Sequence, residues 1–500
     1  MYGGSSPKTE VPPSLCVNKI SRGKSKTCEK CYLARRIVFI FAVLKIRNNG
    51  ERARVLGYMR SLYNILFLIF FVLSSPYYFL RMSRRGNWQK GFAQRFGNYD
   101  VKLKQSITNR HIIWLHAVSV GEMNVCMQLI RALEPRLPNV KFVVSTTTTT
   151  AMSELQKKLP PHIGKIYYPV DRRKFVARAL GTIRPDAIIL VEAEIWPNFI
   201  WRARSMGIPL FLVNARLSDR SFPRYKKFKI LFKQLFGAFT GVGAQNETDA
   251  GRLGEVGCRR EAIHVVGNLK FDAAVLTGRR TLDVPAMLGQ LGVPTDARIL
   301  VAGSTHDGEE LILAEIFLNL KKQFPDLFLI LVPRHFERAK SAGNDLSKLA
   351  INFFYRSELA PDTQFEQGEL DCLLVNTTGE LRYFYEHATV VFVGKSLAAR
   401  GGQNPIEPAA LGKPVLFGPN MQNFTDVVKI FLADKSAIQV SDAAELETRI
   451  GELLSNPPRR QELGYRAQET VKEHQGATER TVEMILEGCA ARDLYTVPKK

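Results

Sequence analysis

"WLHAVSVGE", Trp114 to Glu122, reads as a buried strand that stops abruptly at a Gly-Glu pair. The stretch behind it, "VCMQLIRALEPRL" from Val125 to Leu137, has the length and apolar spacing of a helix. A carboxylate at that junction has two explanations. Glu near a helix start complements the helix dipole. Strand-to-helix loops at the carboxyl ends of parallel strands are also where doubly wound folds keep their ligands and catalytic groups.

The same pattern repeats outward along the chain. Apolar, β-rich runs recur at 111–117 (HIIWLHA), 141–147 (KFVVSTT), 186–194 (DAIILVEAE), 209–215 (PLFLVNA) and 262–268 (AIHVVGN). A second series runs through 298–304 (RILVAGS), 327–335 (LFLILVPRH), 372–378 (CLLVNTT), 389–395 (TVVFVGK) and 413–419 (KPVLFGP). Helical stretches such as "EELILAEIFLNLKKQF" separate most of them. Continuous apolar strands bounded by helices mean parallel sheets covered on both faces. The fold class expected is α/β, with two Rossmann-like doubly wound domains that divide near Lys270 to Val293. Residues 442–488 read as helical.

The chain has 500 residues, 45% of them hydrophobic, and a formal charge of +23. That length calls for two or more domains, and the composition is that of a globular protein. A basic balance suggests an anionic partner. Part of the excess lies in the leader, where residues 1–54 hold twelve Lys or Arg against three acids. The seven cysteines are scattered, which is no disulfide framework and favours a reducing compartment. Cys28 and Cys31 form a lone CxxC, short of the four ligands of structural zinc. "LYNILFLIFFVLSSPYYFL", Leu62 to Leu80, is uncharged and about the length a membrane helix needs. The expected organisation is a leader at 1–58 with Met59 as a plausible start, a membrane anchor at 59–85, domains at 86–269 and 270–488, and a tail at 489–500.

In this architecture the informative residues follow the strands. The first series offers Ser119 to Glu122, the hydroxyl run Ser145 to Thr150, Glu192 and Glu194 in "VEAEIWPN", and "NARLSDRS" at 214–221. Alternation along a strand places Glu192 and Glu194 on one side. The second offers "AGSTHDGEE", "PRH", "TTGEL" and "GGQNPIEPAALGKPV". Glycines and hydroxyls before a helix let backbone N–H groups face a phosphate, Arg334 can add a charge-assisted bond, and Glu407 can take the two hydroxyls of a ribose. There is no GxxxxGK[ST] loop, no DxD and no cluster with metal-ligand spacing. A nucleotide-sugar transferase without a metal or cofactor fits these residues, with Lys270 at the interdomain crossing offsetting phosphate charge.

The motifs "HAVSVGE", "EAEIWPN", "NARLSDRS", "AQNE", "GNLKFD", "GSTHDGEE", "LVPRHFER" and "GGQNPIEPAALGKPVLFGP" follow one another in an order that resembles the 3-deoxy-D-manno-octulosonic acid (Kdo) transferases of lipopolysaccharide assembly. The resemblance covers roughly residues 60–485. It implies the B-type glycosyltransferase fold, an N-terminal acceptor-binding domain, a C-terminal CMP-Kdo-binding domain, and a lipid A precursor as acceptor at the cytoplasmic face of the inner membrane. It implies Glu122 as catalytic base, with Glu194 and Lys270 supporting the transition state. It assigns CMP contacts to Pro333, Arg334, Thr378, Gly379, Glu380, Asn404, Pro405, Ile406 and Glu407. Three features depart from the family pattern: Gln94 stands where many members have Glu, Lys395 stands where Gly is usual, and the leader has no counterpart.

On this reading Glu122 removes the proton of the acceptor hydroxyl as it attacks the anomeric carbon, and CMP leaves from the opposite face, inverting that centre. CMP-Kdo, the lipid A precursor and inner-membrane phospholipid are the expected partners, and nucleic acid is not. Other readings stay open on the residues alone: a membrane-associated transferase with another donor, an inactive transferase-like binding protein, or a basic nucleic-acid binder, although no nucleic-acid motif is present.

Overall fold

The computed structural model describes residues 51–84, 89, 91–192, 194–219, 221–273, 282–490 and 494. The leader, with Cys16, Cys28 and Cys31, lies outside them up to residue 50. Two compact units make up the chain, Met1–Ser75 and Pro76–Lys500. The described part of the first is helical, within a helix that runs Glu51–Arg84. Its stretch Gly57–Leu80 has a mean hydropathy of 1.6 and is long and apolar enough to cross a membrane, by length and composition. Ile65, Ile69, Val72 and Leu73 on it are exposed.

The second unit holds two parallel seven-stranded sheets. The first comprises β1 (His111–His116), β2 (Val140–Thr146), β3 (Gly164–Tyr167), β4 (Ala187–Val191), β5 (Leu210–Ala215), β6 (Gly241–Ala244) and β7 (Ile263–Val265), in the order β3-β2-β1-β4-β5-β6-β7. The second comprises β8 (Arg298–Thr305), β9 (Leu327–Pro333), β10 (Phe353–Tyr355), β11 (Cys372–Leu374), β12 (Val390–Val393), β13 (Val415–Phe417) and β14 (Ile438–Gln439), in the order β10-β11-β9-β8-β12-β13-β14. The two-domain α/β class expected from the strand pattern is the one observed.

Why the strands read as unbroken apolar runs is visible in the second sheet. Val301, Ile330, Val391 and Val393 enter one core. Their neighbours Leu300, Ala302, Leu329, Leu331, Val390 and Phe392 enter another. Successive side chains point to opposite faces, and helices cover both, so no position is left for a polar residue. In the first sheet Ile113, Leu115, Val144, Ile189 and Val213 pack with Met123, Leu129 and Leu133 of the helix Val120–Leu133.

The last helix, Ala477–Gly488, follows the second sheet in the chain and lies in the stretch 270–488 expected as one domain, yet it returns to the first sheet's core through Ala477, Val482, Met484 and Ile485. Its approach, together with Phe211 and Val266, accounts for the glycines of β6. A Cβ added at Gly241 would lie 3.1 Å from Met484 Cγ, and one at Gly243 would lie 2.9 Å from Val266. The four described cysteines, Cys126, Cys258, Cys372 and Cys489, are free and buried.

Candidate functional site

In each sheet the chain leaves its first strand toward one edge and later crosses to the other. The reversal falls between β1 and β4 in the first sheet and between β8 and β12 in the second. Loops at the carboxyl ends of such a pair splay apart and leave a crevice for ligands. Glu122 follows β1, and Glu192 and Glu194 follow β4, so all three carboxylates sit at the first reversal.

Glu122 is 3% exposed and fully engaged locally. Its carboxylate accepts from the Val118 backbone N–H at 2.8 Å and from the Ser119 hydroxyl at 2.6 Å. Ser119 is the N-cap of the helix Val120–Leu133, and its Oγ accepts from the Glu122 N–H at 3.3 Å. This is a variant of the Ser-x-x-Glu cap in which the carboxylate takes the N–H of the residue before the N-cap instead of the N-cap's own. The cap also fixes where the carboxylate points, and Glu122 lies within electrostatic range of the Lys270 ammonium.

The strand β4 ends at Val191, and Glu192 takes φ 59°, so strand alternation does not carry through to Glu194. The two glutamates find different partners. Glu192 Oε1 lies 4.0 Å from Lys270 Nζ. Glu194 Oε2 accepts from Trp196 Nε1 at 3.2 Å, and its charge adds to the burial that already disfavours ionisation of Tyr168 and Tyr225. Lys270 also touches the second half: its ammonium is 3.4 Å from the Asn423 carbonyl and 5.4 Å from the centre of the Phe424 ring. Burial lowers the Lys270 pKa, opposed chiefly by Glu192. Beside it Arg216 pairs with Asp426, a second bridge between the halves.

At the second reversal Arg334 extends an exposed side chain from the end of β9, just after the buried Pro333. Its charge reaches Glu407, at the start of the short helix Ile406–Ala410. Asn404 Nδ2 donates to Glu407 Oε1 at 3.0 Å, while Asn404 Oδ1 accepts from the Ile406 N–H at 3.1 Å. The Glu407 side chain keeps some solvent contact, but the atoms crowding its carboxyl make burial the main influence and raise its pKa. Arg334, Asn404 and Glu407 are thus brought together, with Pro405 and Ile406 in the same turn. Glu380 faces elsewhere: its two oxygens take Arg356 and the Thr377 hydroxyl. Thr378 and Gly379 are exposed in the loop after β11, with Gly379 at φ 88°.

A family model for 3-deoxy-D-manno-octulosonic-acid transferase (kdotransferase) matches residues 90–273. The 3-deoxy-D-manno-octulosonic acid transferase of Rickettsia felis is 33% identical, over 69% of this chain and 72% of that protein. The Bordetella pertussis transferase of the same description is 31% identical, over 81% of this chain and 94% of its own length. The chain belongs to the Kdo transferase family. The two-sheet architecture is shared more widely. A UDP-GlcNAc 2-epimerase from Neisseria meningitidis bound to UDP-GlcNAc aligns with a TM-score of 0.52, over 76% of this chain and 100% of that one, at 14% identity, a likeness of fold.

Within this Kdo transferase several motif residues turn out to shape the site from behind. Two members of the hydroxyl run that begins in β2 are structural. Ser145 Oγ accepts from Trp114 Nε1 at 2.8 Å, and Thr148 caps the helix Thr149–Lys158. Asp171, buried, accepts from the Asn198 and Phe199 N–H groups and holds the chain just after Glu194. Asn214 at φ 52° accepts from the Leu269 N–H, next to Lys270. Glu309 lies within the motif "GSTHDGEE", but the sequence assigns it no role of its own, because an acid in a helix's first turn is commonplace. It is 0% exposed and joins two loops of the second reversal. Of the departures from the family pattern, Gln94 accepts from the Tyr167 N–H through Oε1 at 3.0 Å, a bond a glutamate oxygen makes equally well. Lys395 sits at φ 57°, a conformation that explains why glycine is usual there.

Proposed function

We propose that the chain transfers Kdo from CMP-Kdo to a lipid A precursor, with inversion and without a metal. The observation that carries this reading is the meeting of Glu122, Glu192 and Lys270 at the first sheet's reversal, with Lys270 also against Asn423 and Phe424 of the second half. An acceptor hydroxyl held there lies beside a buried, oriented carboxylate. Glu122 takes its proton as the oxygen bonds to the anomeric carbon of Kdo. The bond from that carbon to the CMP phosphate oxygen breaks on the far side, and CMP leaves with the electron pair. Lys270 and Glu194 stabilise the charges that shift during this displacement. Positioning both substrates in one cleft supplies much of the rate.

The donor half of the reading rests on Arg334 and Glu407. Arg334 meets the phosphate with a charge-assisted bond, and Glu407, oriented by Asn404, takes the ribose hydroxyls. Pro333, Thr378, Gly379, Pro405 and Ile406 line the rest, while Glu380, engaged by Arg356 and Thr377, contributes only by holding its loop. The helix Gly57–Leu80 anchors the enzyme in the inner membrane, with both sheets on the cytoplasmic side.

The test is direct. The purified full chain is incubated with CMP-Kdo and a tetraacylated lipid A precursor, and the lipid is weighed by mass spectrometry. The expected product gains one or more Kdo residues, carries the inverted anomeric configuration by NMR, and forms equally well with excess chelator. No mass gain from CMP-Kdo, with gain from another nucleotide sugar, overturns the donor assignment.

A further inference from the structure

The carboxylate of Glu309 is buried at the base of the second reversal. It follows β8 and opens the helix Glu309–Lys321. Oε2 accepts from the His306 N–H at 2.9 Å and the Lys395 N–H at 2.6 Å. Oε1 accepts from Ser396 at 2.8 Å and Leu397 at 2.9 Å. Three consecutive N–H groups after β12 thus converge on one anion that the protein itself supplies. Backbone N–H groups gathered in this way form the kind of concavity that elsewhere binds phosphate. Charge-assisted bonds of these lengths are strong, and a buried charge is tolerated only with such pairing.

The loop held there leads straight to the donor residues. The Lys395 carbonyl accepts from the Gly402 N–H at 2.8 Å, and two residues further on Asn404 orients Glu407. Lys395 is held in left-handed backbone, which is unfavourable for a residue with a Cβ. The bond from its N–H to Glu309 opposes relaxation out of that conformation.

We infer that Glu309 is a positioning residue for donor binding: its carboxylate fills the backbone nest of Lys395–Leu397 and thereby fixes the turn that presents Asn404 and Glu407. This deepens the proposed reading, and rests on it, by placing the donor's phosphate outside that nest. The Ser396 and Leu397 N–H groups are already taken, so the phosphate is left to side chains such as Arg334.

Glu309→Gln keeps the size but offers one acceptor oxygen and an NH2 that opposes two of the N–H donors. CMP binding to the full chain is measured by calorimetry, alongside steady-state transfer. The expected result is CMP affinity lowered roughly tenfold or more, with donor KM raised, while kcat and acceptor KM stay within about twofold. A residue that served stability alone would not produce that split. Arg334→Ala is run beside it. If Arg334→Ala weakens CMP binding and Glu309→Gln does not, the positioning role is refuted and the donor site stands. If neither weakens it, the donor site itself is misplaced. Should Glu309→Gln fail to fold, Glu309→Asp is titrated instead: it keeps the charge but draws both oxygens back, and parent-like CMP affinity in it refutes the inference.

Discussion

Glu122→Gln separates two roles that coincide in one side chain. In the parent, one oxygen holds the Val118 N–H and the other holds the Ser119 hydroxyl. The glutamine oxygen can keep the Val118 bond, and its NH2 can donate to Ser119 Oγ, which has a lone pair to accept it. The cap therefore survives with its geometry, and what is lost is the charge facing the helix N-terminus. That is about 0.3–1 kcal/mol, or a fall in Tm of no more than about 4 °C for a domain of this size. The loss of a general base is far larger, about 10²–10⁴-fold in turnover, equivalent to about 2.7–5.4 kcal/mol of barrier. The assay is single-turnover transfer from CMP-Kdo at saturating acceptor, with melting and CMP binding measured on the same preparation. Near-parent melting and CMP affinity with turnover down at least about 10²-fold is the expected pattern. Turnover close to that of the parent refutes the reasoning and leaves Glu122 as a capping residue.

Three further outcomes are expected. Glu407→Gln should weaken CMP binding yet melt no lower than the parent at pH 8. Burial raises this carboxyl's pKa, so its contribution to stability is most favourable below the unfolded value and is lost as pH rises through the folded one; a parent whose melting falls relative to the variant as pH is lowered contradicts this. Glu192→Gln should move the alkaline limb of the transfer rate to lower pH, because Glu192 is the chief influence holding up the lowered Lys270 pKa; an unmoved limb removes Lys270's charge from the mechanism. Deleting the chain through Leu80 should release the protein from membrane fractions, and unchanged fractionation rejects the anchor.

The sheets were legible because parallel strands buried on both faces have no polar positions to confuse the pattern. The strands that escaped notice did so for identifiable reasons. β6 is Gly-Val-Gly-Ala because Met484 and Val266 come too close for a Cβ. β10 and β14 are short edge strands, and β3 is a four-residue edge strand with Lys165 inside it. The positions of Glu122 and Arg334 just after strands, and of Glu407 at a helix start, could be read from order alone. What their carboxylates and guanidinium touch could not, since partners such as Val118 N–H or Asn404 depend on turn geometry. The expectation for Glu192 and Glu194 failed at one dihedral: a strand that ends at Val191 and turns through positive φ no longer alternates.

Lys270 shows why a site of this kind depends on more than its reacting groups. The residue before it, Leu269, is packed in the first sheet's core, and the residue after it, Phe271, in the second's. Phe271 lies 5.1 Å, centre to centre, from the ring of His474, where the chain turns back toward the first sheet. Asp272 then accepts from the Gly476 N–H at 2.8 Å and the Thr478 hydroxyl at 2.6 Å. The outgoing and returning crossings are tied side by side, and the ammonium emerges from the tie. Its distance to Glu192 on one side and to Asn423 on the other is set by how the two halves meet. A displacement of about 1 Å at such a point can cost 10²-fold in rate. Glu192 opposes the effect of burial on the charge of Lys270, Asn214 holds the backbone beside it, and Glu194 turns instead to Trp196. Two acids two residues apart thus hold different posts, and the single left-handed residue at Glu192 is what divides them.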